Sequence, residues 1–340
     1  MKRVCRWVFP VSLVFLLPTS SWAGVVTVAH RGYSYAAPEN TVAAIDAAAG
    51  ITWGVEFDVR QTFDGHLVLM HDESVNRTTD GTGNVNARTF DYIRSLDAGY
   101  KFSPEFAGEQ VPTLLEAVDA ALAGGLVPCI EVKAGDAWRY NSQLAPYQDQ
   151  IEIHSFSSTF LQQLNFFNSG YTLVLLGGGD LGDALSSMPA CVDKVSWNYD
   201  GLTADDIAAA RATGRDVYAW TVDSASTMIS RSRMGVTGIV SNRIELAVDT
   251  LDFLPGDANI DGAVDADDAA ILGDYWQESY GAWALGDFNG DREINAADAS
   301  ILAANWGSFS GESTPAPEPG FLVLWLALGL TVLTARKSLG

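Results

Sequence analysis

Short apolar runs alternate with longer amphipathic stretches from Val25 to about Leu251. The runs cover residues 25–29, 54–59, 67–70, 127–132, 151–156, 172–176, 194–198, 217–222 and 238–241. Many are continuously apolar, as strands buried on both faces are. Between them, Thr113-Leu-Leu-Glu116 and Thr203-Ala-Asp-Asp206 read as capping boxes that open helices, and Gly124 and Gly214 sit where helices should stop. Strands alternating with helices call for a parallel sheet. Eight or nine strands over about 225 residues predict a closed (β/α)8 barrel of the TIM type rather than an open doubly wound sheet. Two places break the rhythm. Asp64-Gly65 is a turn signal, so the second and third strands are expected to be joined without a helix. The polar stretch 72–112 is too long for a simple loop and is expected to be an insertion over the barrel mouth. Residues 134–150 leave only 17 positions for a helix and its connections, which puts one barrel helix in question.

Chemistry-bearing residues gather where these strands end: His30-Arg31-Gly32, Glu56-Phe57-Asp58, His71-Asp72 and Glu131-Val132-Lys133. Residues two apart in a strand share a face, so Glu56 and Asp58 project together, as do Glu131 and Lys133. Strand C-termini of such a barrel open onto one face, where chemistry takes place. Three carboxylates converging there cannot all stay ionised without a cation. Oxygen ligands suit Ca²⁺ or Mg²⁺ better than Zn²⁺. Such an ion polarises a phosphoryl oxygen. Arg31 and Lys133 can hold phosphate charge, and two imidazoles can supply a base and an acid near neutral pH. Of the other two histidines, His66 reads as a turn residue and His154 as a packing residue within its strand. Trp220 reads either as a core aromatic or as a wall of the substrate pocket.

These residues, with Pro38-Glu-Asn-Thr41, Arg77-Thr-Thr79, Pro112-Thr-Leu114, Ser155-Phe156, Trp220-Thr-Val222 and Gly238-Ile-Val-Ser241, resemble the glycerophosphodiester phosphodiesterase family, in family order across 25–245. The resemblance implies a β/α barrel with the insertion, and hydrolysis of glycerophosphodiesters to glycerol 3-phosphate and an alcohol. It implies that Glu56, Asp58 and Glu131 bind the metal. It makes His30 and His71 the general base and acid as a pair, with Arg31 and Lys133 on the phosphate. Asn242 departs from the family pattern, which has Asp after the final strand. Two other readings stay open: a non-catalytic surface scaffold, and a phosphodiesterase acting on lysophospholipids or other diesters.

From Pro255 the grammar changes. Residues 257–268 and 287–298 are two copies of one pattern, 30 residues apart. Each places Asp or Asn at positions 1, 3, 5, 9 and 12: Asp257, Asn259, Asp261, Asp265 and Asp268, then Asp287, Asn289, Asp291, Asn295 and Asp298. This is EF-hand calcium spacing with Asp instead of Glu at position 12. Val264 and Ile294 hold position 8, where the two loops are expected to pair. Gly262 supplies the turn at position 6 of the first loop, and Arg292 replaces it in the second. The duplicated pattern resembles the type I dockerin module, a small all-α EF-hand-like unit. That resemblance implies structural Ca²⁺ and a cohesin-like or other surface partner. Twelve acidic residues against one base give 255–312 a net charge of −11, half of the chain's −22. Such a segment repels nucleic acid and attracts cations, and no basic patch interleaved with aromatics offsets it.

The two ends complete the organisation. Lys2, Arg3 and Arg6, an apolar run over 8–17 and Ser21-Trp22-Ala23 read as a secretory signal peptide, with an uncleaved anchor as the alternative. Thr-Pro-Ala-Pro-Glu-Pro at 314–319, the apolar run 321–335 and Arg336-Lys337 resemble a PEP-CTERM sorting tail. That likeness implies a sorting protease in the membrane; an ordinary C-terminal anchor is the alternative. The expected divisions are a leader over 1–23, a barrel over 24–252, calcium repeats over 255–308, and a linker with sorting or membrane segment over 309–340. The product is expected to be exported, at the cell surface or beyond. Cys5 leaves with the leader, and Cys129 and Cys191 are expected to be buried thiols without a bridge.

Overall fold

The computed structural model describes residues 24–279 and 281–309. The expected leader and sorting tail lie outside the described residues. Nine strands form: β1 (Val26–Ala29), β2 (Gly54–Gln61), β3 (Leu67–Leu69), β4 (Val127–Val132), β5 (Glu152–Ser155), β6 (Thr172–Gly177), β7 (Lys194–Asn198), β8 (Asp216–Trp220) and β9 (Gly238–Ser241). All but β3 are parallel. In the order β1-β2-β4-β5-β6-β7-β8-β9 they close back onto β1, giving the eight-stranded parallel barrel. The helices of the barrel are α1 (Val42–Ala48), α3 (Leu114–Ala123), α4 (Ala137–Leu144), α5 (Ser158–Phe167), α6 (Leu181–Leu185), α7 (Ala204–Ala212), α8 (Ala225–Arg233) and α9 (Ile244–Leu251), and α2 (Phe90–Arg94) belongs to the insertion between β3 and α3. Both expected capping boxes form, at Thr113–Glu116 and Thr203–Asp206. Among the described residues no helix is long and apolar enough to cross a membrane.

Alternation along the strands sorts the side chains. Val55, Phe57, Val59, Ile130 and Ile153 face outward and pack with Leu114, Val118, Leu161 and Leu164 of the helices. Inside the barrel lies a small plug of Val28, Cys129, Tyr218 and Val240. Beside it Glu152, His154 and Lys194 form a buried polar file. Cys129 is buried and Cys191 only half-buried; both are free thiols.

Three details differ from the sequence reading. First, the short 134–150 segment does hold a helix. α4 starts four residues after Lys133 and runs directly into a 3-10 stretch, Ala145–Gln150. Tyr140, fully buried, ties it down by donating to the Ala134 carbonyl at 2.8 Å. Second, β2 does not end at Val59. It continues to Gln61 because β3 folds back antiparallel on Val59, Arg60 and Gln61, so Glu56 and Asp58 lie mid-strand. Third, the two acidic loops do not pair with each other. Ala263 bridges Phe309 and Ser279 bridges Glu293, so each loop pairs with the chain that follows the other repeat's helix. Val264 and Ile294 are both fully buried in the module's core, with Leu272 and Leu302 of α10 (Ala266–Asp274) and α11 (Ala296–Ala304). The expected insertion is present. It carries its own core, built from Val75, Val85, Ile93 and Leu96 against Val68 and Met70.

Ile130 lies between the polar residues of β4 but faces the helices and is fully buried. Ile130→Ala is expected to lower the unfolding free energy by about 2–5 kcal/mol in a urea titration.

Candidate active site

His30 and Arg31 leave the barrel directly after β1 on a tight turn. Arg31 has φ 59° and Gly32 φ 79°. A Cβ on Gly32 would fall 2.5 Å from the Ala44 Cβ of α1, so only glycine lets this turn lie against the helix. Glu56 and Asp58 come from β2, Glu131 from β4, and Lys133 follows it. Asp58 and Glu131 are neighbours in the sheet register, so their carboxylates meet without any loop having to bring them together. Oxygens of Glu56, Asp58 and Glu131 all lie within 4.8 Å of one another, and all three residues are buried.

This cluster is electrostatically incomplete. Glu56 Oε1, Asp58 Oδ1 and Glu131 Oε1 are buried with no hydrogen-bond partner. Lys133 Nζ forms ion pairs with Asp58 Oδ1, at 3.2 Å, and with Glu131, but out of hydrogen-bond alignment. Arg31 Nε lies 3.4 Å from Asp58 Oδ2. Burial, then repulsion from Asp58 and Glu131, pushes the Glu56 carboxyl well above its ordinary range. Glu131 is pushed up by burial and by Asp58. Asp58 goes the other way: burial would raise it, but Lys133, Arg31 and the Asn40 amide outweigh that. Three converging buried carboxylates, which Lys133 and Arg31 relieve only in part, fit a hard divalent cation.

The two imidazoles are held differently. Asn242 Nδ2 donates to Asp223 Oδ2 at 2.7 Å, which turns Asn242 Oδ1 toward His30. His30 Nδ1 therefore carries the proton it donates to that oxygen, at 2.7 Å, and leaves Nε2 bare, 3.9 Å from Glu56. Burial, then the neighbouring Arg31 charge, lowers the His30 pKa to about 4. His71 Nδ1 instead meets a carboxylate, Asp72 Oδ1, at 2.8 Å. Asp72 is gripped by Arg77, at 2.7 and 3.1 Å, and Arg77 in turn pairs with Glu39.

The structure brings His30, Arg31, Glu56, His71, Glu131 and Lys133 around one cleft of about 190 Å³. Trp220 lines it and is also anchored, its Nε1 donating to the Ser196 carbonyl at 2.9 Å, so it serves as wall and core together. Phe156 meets it edge-on at 5.8 Å. His154 is buried against Glu152, 3.1 Å away, yet also reaches the floor of the cleft. His66 is exposed, away from the cleft, and stacks on Phe90 at 4.6 Å. The sequence reading gave no role to Asn40, Glu39, Asp72, Arg77 or Asp223. Asn40 grips Asp58 from both sides, donating through Nδ2 at 2.8 Å and accepting the Asp58 N–H at 2.9 Å. Its left-handed backbone, φ 58°, suits Asn and was the available local signal.

The acidic repeats form two separate loops. In each, the acids at positions 1 and 12 are buried: Asp257 and Asp268, Asp287 and Asp298. Burial, then the nearby Asp298, raises Asp287 to about 6, and burial with neighbouring acids also raises Asp257 and Asp268. Buried acids facing one another fit a calcium ligand set.

A closed parallel barrel with an oxygen-rich cation site, two cations and two imidazoles at its mouth defines a class of metal-assisted hydrolase. Residues 30–246 match the glycerophosphoryl diester phosphodiesterase family, and residues 255–306 match the dockerin type I domain. A glycerophosphodiester phosphodiesterase of Caldanaerobacter subterraneus subsp. tengcongensis is 33% identical over 239 residues, 66% of this chain and 96% of the relative. Human glycerophosphodiester phosphodiesterase 1 is 49% identical over 113 residues, 32% of this chain and 34% of that protein. Among solved structures, a glycerophosphodiester phosphodiesterase of Agrobacterium tumefaciens superposes with TM-score 0.59 and 27% identity, covering 66% of this chain and 99% of that one. An Oleispira antarctica phosphodiesterase, solved with the product sn-glycerol-3-phosphate, superposes with TM-score 0.61 at 24% identity, over 66% and 96%; at that identity the likeness is one of fold. The chain belongs to the glycerophosphoryl diester phosphodiesterase family, a metal-dependent family of enzymes, and carries a dockerin type I domain behind the barrel.

Gly32→Ala is expected to lower the unfolding free energy by at least about 1–3 kcal/mol, because it forces a Cβ into α1 at a left-handed φ. A chemical denaturation curve checks this.

Proposed function

We propose that the chain hydrolyses glycerophosphodiesters to glycerol 3-phosphate and an alcohol, with Glu56, Asp58 and Glu131 holding Ca²⁺ or Mg²⁺. The observation that carries this reading is the buried cluster of three carboxylates, its oxygens within 4.8 Å of one another, beside two imidazoles that line one cleft with Glu56 and Glu131. When bound, the cation supplies the charge that polarises a phosphoryl oxygen. Arg31 and Lys133, at the rim of the same cluster, hold the remaining phosphate charge. His30 is the general base: its partner is a neutral amide, burial keeps it neutral, and Nε2 is free to take a proton. His71 is the general acid. Its partner is the Asp72 carboxylate, which can compensate an imidazolium that donates to the leaving alkoxide. Phe156 and Trp220 shape the apolar wall beside the phosphate. The named activities of the similar proteins support this substrate class and weigh against the scaffold reading.

The repeats bind structural Ca²⁺ and present a surface for a cohesin-type partner, as a dockerin domain implies. Export and sorting at the membrane are supported by the basic, apolar and small-residue order of 1–23 and by the Pro-rich and apolar order of 314–337.

Purified full-length protein is expected to release glycerol 3-phosphate from glycerophosphocholine or glycerophosphoethanolamine, and chelation is expected to stop it. His30→Ala and His71→Ala should each cost at least about 10²-fold in kcat/KM. Unchanged turnover in either variant would remove the role given to that histidine. Because the repeats also bind calcium, Asp58→Asn and Glu131→Gln are assayed alongside. Both should lose turnover while the calcium-induced change in circular dichroism of the repeats persists.

A further inference from the structure

Arg292 stands at position 6 of the second acidic loop, where the first loop has Gly262. Both residues occupy the left-handed region, with φ 71° and 90°. In each loop the backbone N–H at this position donates to the position-1 carboxylate, to Asp257 at 2.8 Å and to Asp287 at 3.0 Å. Glycine would therefore close the second loop as well as the first, without the steric penalty a Cβ brings. What arginine adds is its side chain. The guanidinium leaves the module and pairs with Asp216, the first residue of β8, at the end of the barrel opposite the active site.

The first loop makes a matching contact. Arg233, the last residue of α8, donates to the carbonyl of Ile260, at position 4, at 2.8 Å. Ile229 of the same helix packs onto the module's core, and Phe253 meets Trp283 at 5.9 Å. A cavity of about 310 Å³ lies between barrel floor and module, with Lys194, Tyr218 and Arg292 in its lining. Asp216 is no isolated surface acid. Lys194 Nζ lies 3.7 Å from it, 2.8 Å from Glu152 and 3.0 Å from the Tyr218 hydroxyl, and Glu152 holds His154. The pairing thus joins a calcium loop to the buried polar file that runs up the barrel interior. The outer sides of α10 and α11, including Asp274 and Ser300, stay exposed.

We propose that the two calcium loops are also a docking surface for this chain's own barrel floor, with Arg292 as the pin that enters Asp216. Calcium binding and docking then share one set of residues, since the peptide that closes the second loop also carries the pin. By linkage, calcium favours the docked floor and docking raises calcium affinity by the same factor. This goes beyond the phosphodiesterase reading and does not depend on it.

The test is hydrogen exchange of the full chain across a calcium titration, read on peptides covering 194–198 and 214–220, with calcium affinity measured by calorimetry. The expected active-site ion sits at the other end of the barrel, so floor peptides report docking. Calcium should protect the floor in the natural chain. In Arg292→Gly that protection should disappear, and second-loop affinity should fall about tenfold although the new glycine suits the loop better. Arg292→Asp should behave likewise, whereas Arg292→Lys, which keeps a cation for Asp216, should retain both readouts, a contrast that a folding failure would not give. Equal floor protection in the natural chain and Arg292→Gly, tighter calcium binding in Arg292→Gly, or loss of both readouts in Arg292→Lys would each overturn the proposal.

Discussion

The repulsion among Glu56, Asp58 and Glu131 is the constraint around which the mouth of this barrel is built. Two unit charges about 4 Å apart repel by roughly 4 kcal/mol at the effective dielectric of a protein site. Three such groups, buried with their oxygens within 4.8 Å of one another, form an arrangement no well-packed core would choose. The rest of the site answers to it. Asn40 fixes Asp58 by two hydrogen bonds, Lys133 and Arg31 lean in from either side, and the turn at Gly32 brings Arg31 close enough to do so. The sheet register sets Asp58 beside Glu131, so the geometry rests on rigid strands.

The same surroundings hold the two imidazoles differently. Both rings line the cleft, and in both Nδ1 is committed to a partner. The partners differ in charge: an amide held by Asp223 for His30, a carboxylate held by Arg77 for His71. Asn242, the position that departs from the family pattern, is the source of that difference. Burial, then the Arg31 charge, keeps His30 unprotonated, as its proposed role as base requires.

Much of this was legible in the sequence. Apolar runs placed every barrel strand to within a few residues, and Thr113 and Thr203 announced their helices by capping chemistry. Same-face spacing identified Glu56, Asp58 and Glu131 as a group before any fold was known. What was not legible depends on contacts distant along the chain. The extension of β2 needed the return of β3, and α4 needed Tyr140 to anchor a connection that looked too short. Local spacing suggested that the acidic loops pair with each other, whereas each is closed by the chain after the opposite helix. Asn40 and Asp223 act through partners 18 and 19 residues away, a separation that no local pattern reports.

The module behind the barrel repeats the same physics with different acids. Asp287 and Asp298 are buried and crowded, as Glu56 and Glu131 are, so two kinds of buried acidic cluster sit in one chain. In the proposed mechanism the barrel cluster is the one on which chemistry depends, and locating an ion there is the direct test. Crystals grown with Mn²⁺ and measured for anomalous scattering should show a peak bounded by the carboxylates of Glu56, Asp58 and Glu131, at metal–oxygen distances of about 2.0–2.6 Å. A map with peaks at the acidic repeats and none among those three carboxylates would contradict the account.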